Sequence, residues 1–600
     1  ERNHDVGVHA AGAGTTVTLV DTRITETGLE ANGTGGRGIG VQTGASLTAE
    51  SCVVERNHDV GVYASGAGTT VRLVSTRVTE TGMEANGTGG RGISVQGGAG
   101  LTAESCLVER NHYVGVIAGG EGTTVTLTDT TVVDTLMVAD GTFGRGIHVQ
   151  DGADLTADAC VVEGNHDVGV SAGGANTTVT LVETTVAQTE MVADGTGGTG
   201  IVLKDGASLA ARSCVVEQNR ELGVFVEGDG TTMTLVSTTV AETRTRADGR
   251  AGVGIGVRGG ASLTAESCRV ERNHSAGVYA AGVGTTVALR DTTVSDTLTT
   301  GDGSWARGIE VRDGAHLSAE SCAVERSGEV GVIASGAATR VTLVGSVVTD
   351  TRRDVATVFG MAVVAQGEAV IQGKDLTVSD NEGPALYAAT GATLTCAGCD
   401  LVANTFAAAV VVDGLLELSD CTVSGTRPDA NLGGAVGVYA GGPTSIAGGT
   451  RLLLSRCTVK AHGYAAVWLD GPGSYALVEN TLEGGPGFAP WDNVWWHGDA
   501  VYATGGITAW GDTTGLLLDR NTFEQGRHGV FLNGASATLT GNTWTDNETD
   551  LWQQQCDDTT PLAEEDTAQV PSFEVCPEGS RLTDTLVFEG LYFEESDPLE

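Results

Sequence analysis

Aromatic residues make up only 4% of this 600-residue chain, and proline occupies just ten positions. So few large rings exclude a thick globular core, whereas Val, Ile, Leu and Ala can fill a thin one. Cations are scarce as well: 33 Lys and Arg stand against 76 Asp and Glu, for a net charge of −43. That balance excludes nucleic acid as a partner, because phosphate contacts need clustered Lys and Arg. It also disfavours unassisted binding of polyanionic polysaccharides. No apolar run approaches the roughly 18 residues of a membrane-spanning helix. Glycine is abundant, at 90 residues, but no collagen-like triplet is present.

What the chain has instead is repetition, which must be read before any domain count. A segment opening at Glu1 reopens at Glu55, Glu109, Glu163, Glu217, Glu271 and Glu325, a 54-residue ruler without slippage. Each copy holds two similar halves, one starting Gly7-Val8 and the other Gly38-Ile39. An offset of 30 superposes Val17 on Leu47, Thr22 on Cys52 and Thr27 on Asn57. The unit is therefore about 23 residues, with an eight-residue insertion around Glu30 to Arg37 in alternate units.

Inside each unit, apolar residues alternate with Thr and Ser in short β-branched runs punctuated by glycine. This is strand periodicity. Three short strands cannot bury an apolar face alone, but stacked units can. Parallel stacking at about 4.8 Å per coil then satisfies the backbone. The phrase Cys52-Val53-Val54-Glu55-Arg56-Asn57-His58-Asp59-Val60-Gly61-Val62 resembles the strand, tight turn and next strand of the right-handed parallel β-helix, the pectate-lyase superfold. Repeat proteins of bacterial cell surfaces and secretions show a similar pattern. The resemblance covers residues 1 to about 555 and implies an all-β solenoid of about twenty coils. It implies little about activity, since this fold carries many unrelated ones.

Beyond Thr351 the ruler breaks, and coils are expected near Gly360, Pro384, Ala408, Ala435, Ala465, Ala500 and Val530. The expected organisation is a regular shaft over 1–351, irregular coils over 352–554, and an acidic C-terminal cap over 555–600. About twenty coils at about 4.8 Å each would span on the order of 95 Å. The first coil, Val6-Gly7-Val8 onward, has the interior consensus and nothing that blunts an edge. Further coils upstream, or end-to-end contact with another subunit, are therefore expected, as are export signals and an extracellular or cell-surface location.

Cysteines follow the same ruler at Cys52, Cys106, Cys160, Cys214, Cys268 and Cys322, and the column continues at Cys399, Cys421 and Cys457. Regular members two coils apart, about 9.6 Å, exceed the about 7 Å a disulfide allows. They read as buried structural thiols acting as small hydrophobes. Cys396 and Cys399 form a CxxC, but Cys399 falls on the column, which argues against a redox or zinc site. Cys556 and Cys576 lie off the column and are expected to pair. The histidines at 4, 58, 112, 166 and 274 are too far apart to share a metal and read as solvated turn residues. Asn57 and its equivalents fit a tight turn, because Asn tolerates left-handed backbone.

No cofactor is expected, with Ca2+ in the insertions as the alternative that the general acidity supports. The insertions carry Asn32-Gly33 or Asp140-Gly141 pairs, but Glu30 and Glu84 give way to Val138, Val192, Arg246 and Thr300, so no Ca2+ ligand set recurs. A Thr ladder through Thr18, Thr48, Thr102 and Thr126 resembles the flat arrays of ice-binding solenoids, with Arg72 and Asp154 interrupting it. Catalysis in such a fold needs one irregular place with paired carboxylates. The only such gathering holds Trp491, Asp492, Trp495, Trp496, His497 and Trp510, whose indole faces could stack on sugar rings. The leading expectation is a non-enzymatic exported rod with structural or adhesive work, contacting glycans or another surface component through that region. The alternative is a polysaccharide lyase or glycoside hydrolase acting around 491–512, and a third is ice binding.

Overall fold

A computed structural model describes residues 4–561 apart from interruptions, the longest of which are 354–359, 442–448, 485–498 and 505–515. The described residues contain strands and turns and no helix. They fall into two compact units, one ending at residue 304 and the other starting at residue 305. In both, each coil contributes one strand to each of three parallel sheets, except the last, described only by its sheet-one strand. Val60–Ser65, Thr70–Val74 and Arg77–Thr79 are one coil's strands in sheets one, two and three.

The first unit stacks eleven coils and the second ten, counted on sheet one over the described residues. Register follows the superposition of the halves: Val17 lies beside Leu47, and Leu47 beside Val71. In the second unit, strands begin at Met361, Leu386, Ala407, Val436, Ala465, Asp499 and His528, where the irregular coils were expected. After the last parallel strand, Thr549–Gln555, the chain reverses, and Asp558–Pro561 pairs with it antiparallel. Proline at the end of that strand lacks a donor and suits an outer edge.

The core is built from small and branched side chains because a coil is only a few residues across. Val62, Ala64, Val71, Leu73 and Val78 of one coil are all at most 2% exposed. Burying each larger one is worth on the order of 2 kcal/mol. The aromatic poverty of the sequence is thus a property of core thickness.

Two corners carry polar columns that satisfy the backbone. Between sheets three and one, buried Asn165 accepts from Thr135 N through Oδ1 (3.0 Å) and donates through Nδ2 to Val132 O and Glu163 O (both 3.1 Å). In the same corner of the second unit, Asn381 donates through Nδ2 to Asn404 Oδ1 (2.8 Å), side chain to side chain. This corrects the turn reading of these asparagines. The left-handed residue is the one before, as at Arg56 (φ 49°) and Gln218 (φ 56°), while the Asn points inward. Four of the five histidines also differ from solvated turns, His4 being exposed. His58, His112, His166 and His274 are half-buried, and each sets Nδ1 against a carbonyl 31 residues earlier, at 2.9–3.1 Å.

The other corner, between sheets two and three, holds the cysteine column. Thr76 lies between Cys52 and Cys106, and its hydroxyl accepts from Cys52 N at 3.4 Å. Each regular thiol is buried and donates to a carbonyl two residues earlier, as Cys160 does to Asp158 O (3.3 Å). Burial pushes the Cys106, Cys160, Cys214 and Cys268 thiols up. Cys399 departs from the thiol reading: it is disulfide-bonded to Cys396. Room for this comes from Gly373 one coil earlier, where a Cβ would lie 2.6 Å from Cys396 Sγ. Cys421 and Cys457 remain buried free thiols. Cys556 and Cys576 lie outside the described residues.

Candidate functional site

Sheet one differs from the other sheets on its outer side. Its strands alternate, with residues such as Ile147 and Val149 inward and fully buried and His148 outward. The insertion of each 54-residue copy leads directly into one of these strands. Successive insertions bond to one another, Ala85 N to Gly33 O (3.2 Å) and Ala193 N to Gly141 O (3.1 Å). They form a raised margin along sheet one. Gly198 shows why glycine recurs there: its φ is +87°, and a Cβ would lie 2.6 Å from Arg220 Cβ.

The copies of the repeat disagree most on this outer side. One outward position reads His9, Tyr63, Ile117, Ser171, Phe225, Tyr279 and Ile333 through the seven copies. The paired position reads Gly40, Ser94, His148, Val202, Gly256, Glu310 and Val364. By contrast, the central outward position of sheet two keeps threonine in five of seven, at 18, 126, 180, 234 and 342, with Arg72 and Ala288 the exceptions. Exposure alone therefore does not scramble an outward position.

In the first unit, four neighbouring coils place His148, Ser171, Val202 and Phe225 side by side. Ser171, and Gly173 in the adjacent outward position, are small between larger neighbours. A hollow of about 490 Å3 results, walled on one side by Thr196 and Gly197 of an insertion. His148 bridges Ser171 Oγ (Nδ1, 2.7 Å) and Gln150 Oε1 (Nε2, 2.8 Å). Burial, reinforced by Arg145, lowers the pKa of His148, so its ring is neutral at pH 7. With Nε2–H donated to the Gln150 carbonyl, Nδ1 accepts from the Ser171 hydroxyl.

The charges of the hollow are matched. Arg145 Nε meets Asp167 Oδ2 at 2.9 Å, and Glu227 takes both Lys204 (3.1 Å) and Arg258 (2.8 Å). Lys204 and Arg258 also sit 5.3 and 5.0 Å from the centre of the Phe225 ring. Glu221 accepts from Gly197 N (2.8 Å) and pairs with Arg246 (3.2 Å); burial nevertheless raises its carboxyl above the usual range.

In the second unit, the same outward column holds the buried Glu310 and is apolar and buried from Ile333 to Trp468. Ile333, Val364, Tyr387, Val410, Tyr439 and Trp468 are each at most 2% exposed, and Tyr439 meets Trp468 edge-on at 6.0 Å. There the column is packing. Trp544 likewise packs on Phe523, ring centres 4.8 Å apart. The residues expected to form a glycan contact, Trp491, Asp492, Trp495, Trp496, His497 and Trp510, lie outside the described residues. Among the described residues, no group of three or more His, Cys, Asp or Glu is placed to hold a metal ion. In the insertions, Asp140 Oδ1 accepts from the N–H (3.0 Å) and hydroxyl (2.6 Å) of Thr142, closing a turn. Among the described residues, no helix is long and apolar enough to cross a membrane.

The hollow was not singled out from the sequence, because its members lie 23–31 residues apart and only coil register brings them together. The available signal was copy-to-copy disagreement at two outward positions.

No curated protein matches the chain. Among solved structures it is similar to pectate lyase Pel9A, at 13% identity over 46% of this chain and 69% of that one, with a TM-score of 0.28. It is also similar to the periplasmic alginate epimerase AlgG, at 9% identity over 55% and 77%, with a TM-score of 0.31. A third likeness is to the Vag8–C1 inhibitor complex, at 14% identity over 92% and 99%, with a TM-score of 0.22. These likenesses are too distant to carry any activity to this chain. The family model described as "Right handed beta helix region" matches residues 6–186 and 189–348, more than half of the chain. The chain belongs to the right-handed β-helix family.

Proposed function

We propose that this protein is an exported, non-enzymatic β-helical rod that adheres to glycans at a cell surface or outside the cell. The observation behind this reading is the division of labour among the sheets. Inward positions, and the threonine position in the middle of sheet two, largely keep their residues from copy to copy, while the outward column of sheet one changes them. A scaffold that holds its frame and varies one walled face is suited to contact rather than to a single reaction centre. Trp491, Trp495, Trp496 and Trp510, with Asp492 and His497, are proposed as a second contact region, since indole faces stack on sugar rings. A disulfide between Cys396 and Cys399 is compatible with an oxidising compartment. The test is a glycan array with the wild type and the Trp495→Ala, Trp496→Ala double variant. Binding by the wild type that the variant weakens supports the reading, and no binding by the wild type sinks it.

A second reading, a polysaccharide lyase or glycoside hydrolase, draws on Glu221, whose raised carboxyl is the kind of group a general acid requires. Release of reducing ends or unsaturated products from neutral and acidic polysaccharides would decide for it, and Glu221→Gln should then abolish that release.

A further inference from the structure

We propose that the hollow on sheet one of the first unit binds a neutral saccharide unit; this rests on the glycan-adhesion reading above and names a site and a sugar class for it. Its volume, about 490 Å3, lies within the roughly 300–1,000 Å3 of small-ligand sites. It therefore takes one short stretch of glycan.

The lining selects against charged ligands. Arg145, Lys204 and Arg258 face Asp167, Asp205 and Glu221, three cations with three carboxylates. Every one of those cations already has a carboxylate partner: Arg145 has Asp167, and Lys204 and Arg258 share Glu227. A uronate would enter without an unpaired cation to receive it, and the surrounding net charge of −43 would oppose its approach. A neutral sugar meets no such penalty. Each of its hydroxyls donates and accepts, and the hollow offers both functions in fixed positions. Carboxylate oxygens accept, the guanidinium and ammonium groups donate, and Ser171 Oγ, its proton given to His148, accepts. Val168, Leu222 and Phe225, each 6–7% exposed, give the hollow an apolar floor beneath the polar rim.

The repeat also furnishes fold-neutral ways to close the site. Phe225 and Glu227 occupy, one copy later, the positions of Ser171 and Gly173. A Cβ on Gly173 meets nothing nearer than 4.0 Å. Ser171→Phe with Gly173→Glu therefore installs a neighbour's outward side chains and fills the hollow. His148→Val, which copies Val202, removes the group that holds Ser171.

The experiment is isothermal titration of the full chain with gluco-, galacto- and manno-oligosaccharides on one side and oligogalacturonate and oligomannuronate on the other. Wild type, S171F/G173E, H148V and W495A/W496A are compared, with thermal midpoints confirming that each variant is folded. The expected result is binding of at least one neutral series, weakened about tenfold or more by S171F/G173E and also weakened by H148V. Selective binding of the uronates overturns the proposal. So does neutral-sugar binding that S171F/G173E leaves intact; if W495A/W496A abolishes that binding, the adhesion reading survives and the hollow does not. Absence of binding to any of the sugars overturns both.

Discussion

Asn165 is the clearest case of one side chain sustaining a coil. Removing its amide strands the buried Thr135 N–H and takes a donor from Val132 O and from Glu163 O, which keeps the Asp134 N–H, and an unmet buried group costs about 1–3 kcal/mol. Asn165→Ala is expected to destabilise the first unit by about 2–4 kcal/mol after partial relaxation. Hydrogen exchange at the Thr135 amide checks it, and unchanged protection there would refute the account. His462 of the second unit has a pH-dependent role. It is 1% exposed, its Nδ1 lies 2.9 Å from Thr426 Oγ1, and burial lowers its pKa from 6.5 to about 4. The folded state thus binds fewer protons than the unfolded state between those values, so stability is full above about pH 6.5 and falls as pH drops towards 4. The loss totals about 3 kcal/mol, because each tenfold difference in proton affinity between the two states is worth about 1.4 kcal/mol. His462→Asn, the ladder residue of Asn404, should flatten the denaturant midpoint of the second unit across that window.

Strands of sheet one begin against a crowded corner, and that crowding dictates glycine more strongly than turn geometry does. At Gly146, a Cβ would stand 2.6 Å from Gly169 O, 2.7 Å from Val162 Cγ1 and 2.9 Å from Asn165 Nδ2. These neighbours belong to the packed corner and cannot withdraw, so Gly146→Ala is expected to cost about 1–3 kcal/mol through overpacking. Gly173→Ala, whose Cβ has open space, is the matched control and should be near neutral. Equal midpoints for the two variants would contradict this reading of the corner. The periodicity of sheets two and three is readable from sequence because their inward residues alternate strictly. The corners are less legible. Propensity alone puts Asn at the left-handed position, yet the backbone puts Arg56 or Gln218 there and uses the Asn amide inside. A buried donor and acceptor outweigh a local dihedral preference.

Over the molecule as a whole, charge is the term that composition controls. Outward acids such as Glu50 and Glu104 alternate with uncharged Val74 on sheet two, so like charges stand two coils apart, about 9.6 Å. That is close to the Debye length of about 10 Å at 0.1 M salt. The ion pairs between coils, such as Arg72 with Glu104 at 2.8 Å, are half-exposed, and each is worth at most about 1 kcal/mol. Repulsion from the net charge of −43, by contrast, acts on every coil. Raising NaCl from about 0.01 to 0.2 M should therefore raise the thermal midpoint; a fall would show that the pairs dominate.

Sequence alone determined the coil, its three strands, the 30-residue register of the halves and the places of the irregular coils. This was legible because each coil touches only its neighbours, so local period and global contact carry the same information. Tertiary structure alone decided what lies side by side on the outside of sheet one. Ser171 and His148 are ordinary residues along the chain and become a bridged pair only when one coil stacks on the next. The Cys396–Cys399 bond has the same origin, since the space it occupies belongs to a glycine one coil away. Inward residues must suit a repeated mould and so declare themselves in the period. Outward ones are released from it, and their meaning depends on neighbours that only the stack supplies.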